Sequence, residues 1–149
     1  MRGYDDLLRR VCEQHGVFLR AEAVAAGCDD ASLRRALRAK ELVRVRHGAY
    51  TFPDIWHDGD DVHRHELKCR ALLRTHPGRV AASHHTAAVL HGMETWGVPL
   101  DRVHVTRTDG GAGRIHHDVT HHQGTCAPAD LTTVRGLPVV SPGTVRTTV

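Results

Sequence analysis

The sequence contains none of the short motifs that usually carry catalysis. Gly-x-Ser-x-Gly, the P-loop, Gly-x-Gly-x-x-Gly and His-Glu-x-x-His are all absent. Ser83 and His84 are adjacent, but consecutive helical residues point in different directions and do not form a nucleophile-base pair. The run Gly110-Gly111-Ala112-Gly113 is followed by Arg114, without the lysine-serine pair or the helix of a phosphate cradle, and reads as a flexible loop. An enzyme is therefore not expected. Paired cysteines are missing too. Cys12, Cys28, Cys69 and Cys126 are scattered with no Cys-x-x-Cys spacing, which argues against a zinc ribbon or disulfide framework and suits reduced thiols in a cytoplasm. No apolar run approaches the ~18 residues of a membrane span. Met1 leads through Arg2 and Gly3 into aspartates rather than into a signal-peptide core, so the chain is expected to be neither secreted nor membrane-bound.

What the sequence does have is an uneven distribution of charge. The formal charge over 149 residues is only +3. Residues 31–52, however, hold six basic side chains (Arg34, Arg35, Arg38, Lys40, Arg44, Arg46) against the single acid Glu41. Residues 53–62 then hold Asp54, Asp58, Asp60 and Asp61 and no Lys or Arg. A basic block followed by an acidic one predicts an anionic partner for the first and a solvated connector for the second.

Periodicity places the basic block on recognisable elements. Tyr4 to Gln14 carries an apolar stripe of Leu7, Leu8, Val11 and Cys12 and reads as a first helix, stopped by Gly16. Arg20 to Ala26 reads as a short second helix ended by Gly27. Asp29 or Asp30 can cap a third helix to about Ala39. At about 100° per residue, Leu33, Ala36 and Leu37 share one arc of that helix, and Arg34, Arg35 and Arg38 share the opposite one. Val43 to Arg46 alternates apolar and basic residues, His47-Gly48 makes a turn, and Ala49 to Phe52 returns as a strand. Three helices followed by a hairpin predict a winged helix-turn-helix over residues 1–53, with Pro53 closing it.

The rest reads as a linker over 54–61 and an α+β domain over 62–149. Its helices are expected at about Val62 to Thr75 and, capped by Ser83, His84 to His91. Strands are expected at Val103 to Thr106, Ile115 to His121 and Leu137 to Val140. The fold class is thus α+β, a winged helix-turn-helix followed by a smaller α+β domain.

The basic helix and hairpin match what a nucleic acid requires. The major groove of B-DNA admits one α-helix, and arginines can reach base edges or phosphates. Arg34, Arg35, Arg38, Lys40, Arg44 and Arg46 are the candidate DNA-binding residues, with double-stranded DNA as partner. The 14 histidines include His63-x-His65, His84-His85, His116-His117 and His121-His122. On one strand over 115–121, His117 and His121 would share a face, but an exposed sheet edge gives the same alternation. No metal framework results, surface histidine is the default, and no cofactor is expected.

Several segments resemble AbiEi-type antitoxins of type IV toxin-antitoxin systems. They are Gly16-Val17-Phe18-Leu19-Arg20-Ala21, Ala26-Gly27-Cys28, Leu33-Arg34-Arg35, Leu42-Val43-Arg44-Val45 and Gly48-Ala49-Tyr50. Ala82 to Gly92 and Gly136 to Pro142 look like the middle region of the same proteins. The resemblance implies a repressor that binds its own promoter, followed by a domain that counters a nucleotidyltransferase-like toxin. It departs from the family pattern at Arg20, where a Thr cap is usual and the second helix is expected to fray. A second departure is Lys40, where a Gly usually ends the third helix. Ser141 to Val149 reads as the start of a helix that continues in relatives, which leaves a truncated gene product as an open reading. Two other readings stay open: a toxin-binding interaction module, and a non-catalytic N-terminal remnant of a protein fused to a Vsr-like nuclease.

Overall fold

The computed structural model describes residues 3–94, 97, 99–108, 113–116, 118–123 and 128–141. The chain divides into two compact units, Met1–Thr75 and His76–Val149. The fold class is α+β, with a helix-turn-helix-like unit first and an α+β unit second.

In the first unit α1 (Gly3–His15) buries Leu8 and Cys12. It ends where Gly16, at φ 77°, returns its amide to the Cys12 carbonyl at 2.7 Å. Then come β1 (Phe18–Leu19), α2 (Arg20–Ala25), α3 (Asp30–Arg38), β2 (Val43–Arg46) and β3 (Ala49–Thr51). The three strands form an antiparallel sheet in the order β1-β3-β2. β1 is not legible from alternation, because two residues have none; its pairing with Tyr50 and Ala49 defines it. The core gathers Leu8, Phe18, Ala23, Leu33, Ala36, Leu42, Tyr50 and Phe52. The Phe18 ring lies 5.7 Å from Tyr50 and 6.0 Å from Phe52, centroid to centroid.

The acidic segment is not a linker. Pro53–His57 form a short helix, α4, with Pro53 at its first turn, where a missing amide costs nothing. Ile55 and Trp56 pack on the core of the first unit. Asp54 pairs with Arg9 at 2.8 Å, and the Arg9 guanidinium lies 4.1 Å from the Phe52 ring centroid. Asp60 accepts the His63 amide at 2.9 Å at the start of α5 (Asp61–Thr75). Asp54, Asp60 and Asp61 therefore cap or pair rather than solvate a connector. α5 itself packs Leu67 and Ala71 against Val17, Val45 and Ala49, so it belongs to the first unit and not, as its position suggested, to the second. Burying a leucine such as Leu67 contributes roughly 2 kcal/mol. The boundary accordingly falls after Thr75 rather than within 54–61.

Among the described residues, the second unit is a six-stranded mixed sheet with one α-helix and a short 3-10 turn at Pro128–Asp130. Its elements are β4 (Val80–Ala82), α6 (His84–Leu90), β5 (Val103–Arg107), β6 (Arg114–His116), β7 (Val119–His122), β8 (Leu131–Val134) and β9 (Leu137–Val140). The strand order is β6-β7-β5-β4-β9-β8. β4 with β9 and β5 with β7 are parallel, and the remaining pairs are antiparallel. The single strand expected over 115–121 is instead a hairpin pairing Ile115 with Thr120, which cancels the one-strand alternation proposed for its histidines. His117 lies outside the described residues, as do 110–112 of the glycine-rich run, Cys126 and residues 142–149. Val103, Val105, Val119 and Val139 are fully buried. α6 buries Thr86 through Leu90 in succession, which marks it as an interior helix.

Candidate nucleic-acid interface

α3 is positioned by devices at both of its ends. α2 closes with the Cys28 amide on the Ala23 carbonyl at 2.8 Å and the Gly27 amide on the Val24 carbonyl at 3.1 Å. Gly27 sits at φ 102°, a left-handed position that glycine adopts without Cβ strain. The turn delivers Asp29, whose carboxylate accepts the Ser32 amide at 2.8 Å and caps α3. That amide bond holds the Asp29 carboxyl below its ordinary range. Asp30 takes a two-pronged bond from Arg20, 2.7 Å on each arm. The pairing lowers the Asp30 pKa and raises that of Arg20.

Arg20, noted in the sequence as a missing cap, thus ties the start of α2 to the start of α3. The cap it displaces is replaced from within the helix: Glu22 accepts the Leu19 amide at 2.8 Å. The Arg20 amide in turn donates to the Gly48 carbonyl at 2.9 Å, fixing the hairpin turn against α2. Neither role is visible in a hydropathy pattern. An arginine ten residues before an aspartate at a helix start is the only trace.

The candidate side chains fall as follows. Leu33 and Ala36 are buried and Leu37 is half-buried, while Arg34, Arg35 and Arg38 are exposed. Arg34 and Arg38 make no hydrogen bond or ion pair among the described residues. Arg35 reaches only the neutral Ser32 hydroxyl, at 3.2 Å. α3 ends on the Glu41 amide to the Ala36 carbonyl at 2.9 Å and the Lys40 amide to the Leu37 carbonyl at 3.2 Å. Lys40 takes the left-handed position at φ 59°, where its side chain is exposed. On β2, Arg44 is exposed and Arg46 half-buried, either side of the buried Val45, with an irregularity in register between them. A guanidinium has no lone pair, so the 3.0 Å contact between Arg44 and His47 Nδ1 makes that nitrogen the acceptor and puts the imidazole proton on Nε2. His47, at the hairpin turn, is a residue the charge count passed over.

His47, His57 and His76 are exposed, but other histidines depart from the surface default. His84, His85, His104, His121 and His122 are half-buried in the second unit. Among the described residues, no three His, Cys, Asp or Glu side chains are arranged to hold a metal ion. None of the described helices is long and apolar enough to cross a membrane.

The first unit therefore contains a helix-turn-helix-like arrangement of α1, α2 and α3 with a β-hairpin, and α3 presents an exposed basic face. Residues 5–53 match the family model of the transcriptional regulator AbiEi antitoxin, a match that covers about a third of the chain. The match stops short of α5, which completes the unit. No curated protein matches the chain.

Proposed function

We propose that the first unit is a winged helix-turn-helix that lays α3 in the major groove of its own promoter, with the β2–β3 hairpin as the wing on the adjacent backbone. The chain would then act in the cytoplasm as an autorepressor and as the antitoxin of a type IV system. The observation that carries this reading is the exposed arc of Arg34, Arg35 and Arg38. Among the described residues, no carboxylate bonds to any of the three. Exposed arginines with no carboxylate bonded to them favour an external anion, and a bidentate arginine suits the O6 and N7 edge of guanine. Lys40, Arg44 and Arg46 would add phosphate contacts that position the helix without reading sequence. The Arg20–Asp30 clasp supports the same assignment by neutralising a carboxylate that would otherwise face phosphates. A nucleotidyltransferase-like toxin is the expected second partner.

The test is binding of the full chain to a duplex of its own promoter, measured by fluorescence anisotropy at several salt concentrations. Each phosphate contact contributes roughly −0.9 to the slope of log affinity against log salt. The triple replacement of Arg34, Arg35 and Arg38 by alanine should abolish specific binding while leaving the helical signal intact. Unchanged affinity and slope in that variant would remove the groove-insertion reading.

A further inference from the structure

The second unit contains a feature that the DNA-binding reading does not use. His84 and His85 open α6, His104 lies on β5 and His122 on β7. His104 Nδ1 lies 2.9 Å from His122 Nε2. The His84 ring sits on the His122 ring with centroids 3.8 Å apart, and the His85 ring meets His104 edge-on at 5.1 Å. We propose that this cluster is a proton-sensitive latch that holds the first turn of α6 on the β5–β7 strand pair and releases it on acidification.

The chemistry follows from counting protons. Two imidazole nitrogens at 2.9 Å form an N–H···N bond only while one of them keeps a lone pair. A single added proton can be accommodated on one ring of the pair, since its partner still accepts. Once both rings are cationic, both nitrogens are donors and the bond becomes a repulsion. The His84 ring, tilted over His122 with centroids 3.8 Å apart, then faces a cation. Among the described residues, the charges that act on His122 are those of His84 and His85 from α6 and of His121 beside it on β7, with His104 bonded to it. Burial first, and then these neighbours, push the His122 pKa below its ordinary value. A folded state that resists protonation loses stability as pH falls below the unfolded value of about 6.5.

The backbone shows why the latch matters locally. Ser83 stands at the N-cap of α6, yet its hydroxyl makes no capping bond and is buried with no hydrogen-bond partner among the described residues. His84 follows at φ 49°, a left-handed conformation costly for a residue with a Cβ. With the usual cap missing, the start of α6 is held instead through His104. The Ser83 amide donates to the His104 carbonyl at 3.0 Å, and the His104 amide donates to Thr86 Oγ1 at 2.8 Å. Strain in the backbone beside a titratable cluster is the arrangement of a switch rather than of inert packing.

The test uses the full chain and needs no ligand. Hydrogen exchange, corrected for intrinsic rates, is followed at pH 7.5 and pH 5 in peptides covering α6, β5 and β7. The expected result is a loss of protection of about tenfold or more in those peptides at the lower pH, the equivalent of one pKa unit of linkage. The variants His122→Gln and His104→Gln, which keep an amide able to hydrogen-bond but cannot take up a proton, should largely abolish that loss. Should either variant fold poorly, imidazole titration of the unaltered chain by NMR decides the matter. His104 and His122 should then titrate in two separated steps, one of them below the ordinary value. Independent titration of both near 6.5, equal protection at the two pH values, or an undiminished loss in folded glutamine variants would each overturn the latch.

Discussion

Arg74, in the last turn of α5, grips Glu22 on α2 with both arms of its guanidinium, each bond 2.8 Å long and the two residues 52 apart in sequence. The same Nη1 also donates to the Val17 carbonyl at 3.0 Å, and Glu22 additionally accepts the Leu19 amide. One carboxylate therefore ties together α2, β1 and α5. Burial by itself would raise the Glu22 pKa, but the Arg74 and Leu19 bonds outweigh it and hold the carboxyl below its ordinary value. Arg74→Met would leave that carboxylate unpaired in a largely enclosed site. The expected loss is about 2–3 kcal/mol, at or just below the ~3–5 kcal/mol of a fully buried pair because both side chains keep some solvent contact. A depressed folded pKa means the contribution is complete above the unfolded value near 4.5 and fades as pH falls through the folded one. Urea midpoints measured from pH 7 to pH 3 should therefore fall below about pH 4.5, and less steeply in Glu22→Gln. Asp29, Asp30 and Asp54 also have lowered pKa values and supply a common background, so the difference between the two proteins isolates Glu22.

Because α5 supplies Leu67, Ala71 and Arg74, the family-matched segment is not a complete folding unit. A fragment ending at Pro53 would expose Val17, Val45 and Ala49, which are buried with α5 in place. It would also leave Glu22 without its partner. The fragment 1–75 is expected to melt cooperatively, while 1–53 should show partial helicity and no cooperative transition. Circular dichroism melts of the two fragments check this. A cooperative melt of 1–53 at a similar temperature would show that α5 is dispensable.

The sequence was most readable where one element could be judged by itself. The arc of Leu33, Ala36 and Leu37 against Arg34, Arg35 and Arg38 needs only helical geometry, and the structure buries and exposes those residues accordingly. The α5 helix was also visible, but not where it packs, because an apolar stripe records that a face is buried and not against which partner. Reading Asp54 to Asp61 as a linker failed for a related reason. Asp54 and Asp60 are satisfied by Arg9 and by the His63 amide, and composition is blind to such pairings. β1 and β4 are only two and three residues long, and their partners lie far along the chain. The histidine cluster escaped because its members come from positions 84, 85, 104 and 122, brought together only by the parallel pairing of β5 with β7.

Gly16 combines two requirements that can be separated experimentally. Its φ is 77°, and a Cβ there would sit 2.7 Å from Leu67 Cδ2. Gly48 has nearly the same φ, 79°, but open space around it. Gly48→Ala should therefore cost only the left-handed penalty of about 1 kcal/mol. Gly16→Ala should cost that plus about 1–2 kcal/mol for displacing α5. Chemical denaturation of both variants gives the steric part by difference. If the two costs are equal, α5 gives way freely and its packing on Gly16 contributes little.

Lys40 tests the opposite case, a strained position where the sequence did not use glycine. It ends α3 at φ 59° with the paired closure from Glu41 to Ala36 and from Lys40 to Leu37 intact. A lysine in that conformation pays about 1 kcal/mol relative to glycine, offset in part by the greater freedom glycine has in the unfolded chain. Lys40→Gly should accordingly stabilise the first unit by about 0.5 kcal/mol. On the proposed DNA-binding reading, the same change removes one cation from the phosphate-facing side. Affinity for the promoter duplex should fall and the salt slope should shrink by roughly 0.9. Stability and binding would then move in opposite directions, which is the signature of a residue kept for its charge at the expense of its backbone. Asparagine, which tolerates the left-handed region but carries no charge, is the control. It should match glycine in binding and fall between glycine and lysine in stability. A glycine variant that binds as tightly as the parent would mean that Lys40 lies off the interface.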